Sequence, residues 1–387
     1  MPTTPPTPPP PADGTAGLAL PSSLAAGRSD RLQITHVDLH YVSPPMQEGI
    51  LSAAETHGDL RQIPKFVLKV HTDAGLVGLG ETHRMRGGPD SEAAARLRRA
   101  AQEVRGCNVF DFDLRHLRLP VDTDTGAFEV ALYDLVGKAV GWPMWRLLGG
   151  RVRSRIPVHY WAGKRLTMEE IRALGQRAVA LGFAGVKMKR SYPLVEALQT
   201  YADVSPDLKI TVDLMGSYPD GFLADARQWQ AVGNVLCIED PPPGGHALDD
   251  YRRLRDELDI PIAMHGHINE RGVRGMVDAI AAKACDVFNL GAGSTYDFLG
   301  RAYLAQEAGI PVWHGSAHEL GILDAAILHA CAAAPACTYP SDILSHQRVH
   351  DLLATPLAVA ESCIAVPDGP GLGVELDDDA LQRYAVR

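Results

Sequence analysis

Gly185-Val-Lys-Met-Lys-Arg190, Ile210-Thr-Val-Asp-Leu-Met-Gly216 and Val235-Leu-Cys-Ile-Glu-Asp-Pro241 read as three short apolar strands that each close on charged side chains. Further β-branched runs begin near Ile156, Ile260, Val287 and Val312, at steps of about 23 to 30 residues. Amphipathic helical segments lie between them. One spans 167–181 and opens on Thr167-Met-Glu-Glu170, a capping-box pattern. Strand, helix and strand at this period make parallel βαβ units. Seven or eight such units close into a TIM-type (β/α) barrel, expected over residues 151–365. A barrel carries its active site at the C-terminal ends of its strands.

The residues at those ends are informative. Lys187 and Lys189 are two apart and share one face of their strand. Two ammonium groups on the lumen face depress one another's pKa and prepare one as a base near neutrality; the alternative is that both face outward. Asp213 and Glu239 end adjacent strands, 26 residues apart. A carboxylate at the end of an apolar strand is costly to bury unless a cation compensates it. Two of them suggest a hard divalent ion, most simply Mg²⁺. The competing reading is that they cap helices or pair with arginines.

Working outward, residues 1–30 read as a disordered leader, with seven prolines between Pro2 and Pro11. Three strand patterns follow, near 32–41, 65–72 and 76–81, the last two joined by the turn Asp73-Ala-Gly75. Residues 43–62 read as a long loop. Helices are expected over about 91–104 and 128–140, the second stopped by Gly141 and Pro143. The meander and helices make an α+β capping domain over 31–150, and 366–387 form a C-terminal segment returning to it.

The formal charge of −10 argues against nucleic acid or an anionic membrane as the main partner. No apolar run approaches the ~20 residues of a membrane span. Six scattered cysteines without CxxC spacing, Cys107, Cys237, Cys285, Cys331, Cys337 and Cys363, read as reduced thiols of a cytoplasmic protein.

Taken in order, the motifs resemble the mandelate racemase and muconate lactonising branch of the enolase superfamily from about residue 31 onward. The resemblance rests on Val70-His-Thr-Asp-Ala-Gly-Leu-Val-Gly-Leu-Gly-Glu81 and Ala127-Phe-Glu-Val-Ala-Leu-Tyr-Asp-Leu-Val-Gly-Lys-Ala139. Leu147-Leu-Gly-Gly150, Lys187-Met-Lys189, Val212-Asp213, Ile238-Glu-Asp-Pro241 and Asp368-Gly-Pro-Gly-Leu-Gly-Val-Glu-Leu-Asp377 complete it. It implies that Lys189 removes a proton α to a carboxylate while Lys187 tunes it. A metal on Asp213 and Glu239 would neutralise the resulting enolate.

The pattern breaks at the fifth strand. Where the family carries a third ligating carboxylate, Pro261-Ile-Ala-Met-His-Gly-His267 offers His265 or His267. Imidazole suits Mn²⁺, Fe²⁺ or Zn²⁺ better than Mg²⁺. Three readings stay open: a histidine ligand with an altered metal, Mg²⁺ with water in the third place, or a lost site. Met215 stands where relatives often carry Asn or His. For the opposing acid/base, the resemblance implies His314 after the seventh strand, oriented by Asp286. Glu319 is a rival, and His318 lies nearby. In the cap, His83, Arg84 and Arg86 lie where relatives hold the far end of the substrate.

The leading expectation is therefore a metal-dependent lyase that dehydrates a hydroxy acid, such as an acid sugar, to a 2-keto acid. A racemase or epimerase of an α-substituted acid is the alternative within enzymes; a barrel that binds a small acid without turnover is the third. The resemblance also implies a homo-oligomer.

Overall fold

The computed structural model describes residues 31–47, 61–83, 87–119, 124–163, 167–189, 193–242, 248–291 and 293–386. The expected leader, most of the 43–62 loop, Arg84 and Arg86 lie outside the described residues.

The chain first forms a three-stranded antiparallel sheet from β1 (Ile34–Val42), β2 (Lys65–Thr72) and β3 (Val77–Glu81), in that order. Gly75, at φ 75°, makes the turn between β2 and β3. Helices α1 (Glu92–Glu103) and α2 (Thr125–Val140) pack on this sheet, and α2 ends at Gly141 with φ 72°. The Val-Gly-Leu-Gly-Glu pattern of β3 has a steric cause. A Cβ on Gly78 would lie 2.3 Å from the carbonyl oxygen of Ala131, and one on Gly80 would lie 2.2 Å from that of Ala127. The sheet therefore touches α2 backbone to backbone, which only glycine permits.

The second sheet is a ring of seven parallel strands. It runs β5 (Tyr160–Gly163), β6 (Gly185–Lys189), β7 (Lys209–Asp213), β8 (Val235–Glu239), β9 (Ile262–Met264), β10 (Val287–Leu290) and β11 (Val312–His314). Helices follow the strands, as the βαβ rhythm requires. The helix after β5 has the full capping box at Thr167 and Glu170. The ring closes through an irregular eighth position: Cys337 bridges Val312, Ser341 bridges Val158, and the amide of Asp342 donates to His314 at 2.9 Å. The first ring strand differs from expectation. Ile156 belongs instead to β4 (Arg155–Pro157), which pairs antiparallel with a hairpin of β12 (Val359–Ala360) and β13 (Cys363–Ala365). Among the described residues no helix is long and apolar enough to cross a membrane.

The cap sits over the C-terminal end of the ring, and the seam is built from capped helices. Glu81 accepts from the amides of Leu320 (2.6 Å) and Leu323 (3.0 Å), at the start of the helix Gly321–Ala333. Glu129 of α2 does the same for Thr295 and Tyr296, both at 3.2 Å, at the start of the helix Thr295–Glu307. A carboxylate at a helix N-terminus satisfies free amides and complements the helix dipole. Two cap acids thus hold two barrel helices. Asp134 ties in the C-terminal stretch, accepting from Leu79 and Leu372 at 2.9 Å each.

Candidate active site

Parallel register brings the charged strand ends level with one another. Lys189 pairs with Asp213, and Asp213 with Glu239, at neighbouring backbone positions. All three side chains turn inward. The Lys189 ammonium is bonded to Asp213. The Lys187 ammonium lies 2.7 Å from Glu239 and 3.1 Å from Asp342, with the Trp313 ring beneath it at 5.5 Å. Asp342 is bonded in turn to His159. Asn289 donates to the other oxygen of Glu239 at 2.7 Å.

Lys187 departs from the expected depression by a neighbouring lysine. Burial alone would lower Lys187, but Asp342, Glu239 and Asp213 outweigh it and hold the ammonium well above its ordinary range. Lys187 is thus held as a cation between Glu239 and Asp342. Burial would raise Asp342, yet Lys187 and His159 keep it well below the carboxylate range. Burial and then Glu239 push Asp240 up to about 6. Three residues here have left-handed backbones, Met215 (φ 53°), Asp240 (φ 45°) and His318 (φ 63°). Such strain costs about 1–3 kcal/mol each and gathers at functional sites. Met215 holds its place by donating its amide to Asp213 at 3.0 Å.

The two carboxylates fit a divalent cation in part. Asp213, Glu239 and Asp342 gather three buried carboxylates around Lys187 and Lys189, and an added cation offsets buried negative charge. Among the described residues no third histidine, cysteine or carboxylate joins Asp213 and Glu239 in a compact donor set. His265 sits at the mouth of β9 on the cleft wall, but its Nδ1 lies 3.0 Å from the Asn289 carbonyl and its Nε2 lies 3.1 Å from Asn269. His267 is buried inside the following helix, its ring against Gly275, and does not line the cleft. Among the described residues, Asp213, Glu239 and His265 do not form a compact donor trio; only His36, Asp38 and His71, on the cap, do so.

The cleft above this floor has a volume of about 720 Å³. Its walls include Lys189, His265, Asn289, Arg301, His314 and His318, and the cap contributes His83. His83 is held by Asp124, whose carboxylate accepts its amide at 2.8 Å and raises the imidazole pKa. His314 ends β11 and is buried, its ring against Phe298 at 4.8 Å. Its Nδ1 lies 2.5 Å from the Gly315 carbonyl, which can only accept, so Nδ1 carries the proton of the neutral ring and Nε2 is the acceptor. Burial lowers its pKa, which keeps the ring neutral. Glu319 also lines the cleft. Burial would raise it, but Lys65 and the donors Ser316 and Ala317 hold it low.

Asp286 does not orient His314. It precedes β10, at the opposite end of the ring, where it bonds Arg255 at 2.5 Å and accepts the Ile262 amide at 2.9 Å. The β10 residue that reaches the site is Asn289. Asp342, Asn289 and Arg301 were not singled out from sequence. Asn289 carried a signal, a polar residue late in an apolar strand. Asp342 carried none, because its segment lacks a strand pattern.

Residues 170–380 match the enolase C-terminal domain-like family. The chain is 30% identical to N-succinylamino acid racemase of Thermus thermophilus over 67% of this chain and 70% of that one. It is 27% identical to 3,6-anhydro-alpha-L-galactonate cycloisomerase of Streptomyces coelicolor over 86% and 94%. Among solved structures, an enolase from Thermobispora bispora complexed with magnesium and formate superposes with a TM-score of 0.73, at 27% identity over 91% and 92% of the chains. Fold, strand-end carboxylates and these matches agree, and the chain belongs to the enolase superfamily, in its mandelate racemase and muconate lactonising branch.

Proposed function

We propose that this protein is a lyase that moves the proton α to the carboxylate of a small hydroxy acid and eliminates water to leave a 2-keto acid. One observation carries the reading: a neutral imidazole acceptor, His314, and an ammonium donor, Lys189, line the same cleft. Elimination needs one of each. In this reading the roles run opposite to those expected from sequence: Nε2 of His314 would accept the α-proton and Lys189 would donate to the departing hydroxyl. The polar walls, with Asn269, Asn289, Arg301, Ser316 and His318, suit a polyhydroxy acid. The name of the Streptomyces relative, which specifies a sugar acid, supports the same class.

A divalent ion held by Asp213 and Glu239 would offset the negative charge that develops on the substrate carboxylate. Two hard oxygen ligands favour Mg²⁺, and the closeness of His265 leaves room for Mn²⁺, Fe²⁺ or Zn²⁺. Lys187 adds a permanent positive charge to the floor, and Lys189 and His314 carry the proton.

The same donor and acceptor, placed on opposite faces of a bound acid, would invert its α-carbon. The likeness to a racemase favours this second reading. Incubation of α-substituted and polyhydroxy acids in D₂O separates the two. A 2-keto acid that vanishes with Lys189→Met supports elimination. Deuterium at the α-carbon of an inverted acid without release of water supports isomerisation. Neither product with any acid and any ion would leave only the acid-binding barrel.

A further inference from the structure

The cap sheet carries a second constellation that the active site does not use. His36 on β1 and His71 on β2 are directly opposed across the antiparallel pair. Their rings stack in parallel, 4.1 Å apart with 7° between planes. Asp38 lies two residues on, on the same face as His36, and its Oδ2 is 2.9 Å from Nε2 of His71 and 3.9 Å from Nε2 of His36. One donor atom from each residue lies within 4.8 Å of the other two. Neighbours set both rings: the Asp38 carboxylate accepts from Nε2 of His71 at 2.9 Å, so an incoming ion displaces that proton. The Thr35 hydroxyl donates to the His71 carbonyl at 3.2 Å, so at its 3.2 Å contact with His36 Nδ1 it must accept. The proton of the neutral His36 ring is therefore on Nδ1, and the Nε2 lone pair faces Asp38 and His71. Metal-bound histidines are held in this way, with the second nitrogen donating to an outer oxygen.

We propose that His36, Asp38 and His71 form a binding site for a borderline transition ion, most simply Zn²⁺, with a fourth position open to water or another ligand. Two imidazoles and one carboxylate make a set that Zn²⁺ takes and Mg²⁺ does not. The site is separate from the cleft. His71 pairs with Val77, whereas the seam residue Glu81 pairs with Val67, four residues back along β2. At about 3.3 Å per residue this is roughly 13 Å along the sheet. The ligands project from the outer surface of the sheet, so the ion would rigidify the edge of the cap without touching the catalytic floor.

The test uses the full chain carrying Asp213→Asn and Glu239→Gln, which removes the floor carboxylates as competing ligands. Zn²⁺ binding is followed by calorimetry, and Co²⁺ binding by its visible absorption. We expect one Zn²⁺ per chain, tetrahedral Co²⁺ bands, and no response to Mg²⁺. Adding His36→Gln and His71→Gln should abolish both signals while the circular dichroism stays unchanged. Thr35→Val, which keeps the ligands and the strand, should weaken Zn²⁺ by about 10- to 100-fold. Zn²⁺ binding that survives loss of both histidines, or no binding in the parent, overturns the proposal.

Discussion

Lys65–Glu81 and Lys189–Asp213 are both lysine–carboxylate pairs withdrawn from bulk water. Their surroundings differ. Both Lys65 and Glu81 side chains are 0% exposed, and the Glu81 oxygens also receive the Leu320 and Leu323 amides. Both Glu81 oxygens have donors, and neither side chain reaches solvent. Lys189 keeps 11% of its side chain exposed and opens on a cleft large enough for a small acid. A buried ion pair whose remaining hydrogen bonds go to backbone is a fastener. A similar pair whose ammonium faces a cavity can exchange its partner for a substrate or an ion.

The comparison is broken first at Lys189. Lys189→Met should reduce turnover by about 10²- to 10⁴-fold, the usual worth of one positioned acid or base. Lost stability without lost chemistry would make this pair a fastener too. Glu81→Gln should do the opposite. It leaves Lys65 buried without a full countercharge and should cost about 3–5 kcal/mol in a denaturant titration. His265→Glu sharpens the reading of the floor by adding a third carboxylate near Asp213 and Glu239. Calorimetry should then show Mg²⁺ binding about tenfold tighter, because added ligand charge raises affinity for a hard ion.

The other seam acid makes a smaller, pH-dependent prediction. Burial pushes Glu129 up to about 7, against its amide donors Tyr296 and Thr295. An acid raised on folding holds more protons in the folded than in the unfolded state between its two pKa values. Its contribution is therefore present below the unfolded value of about 4.5 and is lost as pH rises to about 7. Stability of the wild type relative to Glu129→Gln should fall by about 1–3 kcal/mol over that window. A flat difference would mean that the two helix amides fully offset burial. Asp286→Asn should matter least, changing turnover by no more than about twofold, since Asp286 meets Arg255 far from His314. A large loss would restore the Asp286–His314 partnership that the ring geometry denies.

Much of this was legible beforehand. The strands at β6, β7 and β8 and the helix at 168–180 follow from alternation, β-branching and a capping box, which act over a few residues. Lys187, Lys189, Asp213 and Glu239 stood out because charge is rare in apolar strands. Asp286 misled because it is acidic and adjacent to a strand; strand direction decides whether such a residue reaches the site, and Asp286 precedes β10 whereas Asn289 lies near its far end. Asp342 was invisible because it joins the floor from a segment without periodicity, held only by bridges to strands far away in the chain.

By itself the sequence determined the kind of fold, the branch of the family and four of the charged groups, since these rest on local pattern and on residue type. Tertiary structure alone decided their partners: that Lys187 is a locked cation between Glu239 and Asp342, that His314 offers Nε2 as an acceptor, and that His265 turns to Asn269 and Asn289. The physical reason is that pKa, tautomer and ligand geometry depend on distances of a few ångströms between strands that are far apart in the chain, and only closure of the ring sets those distances.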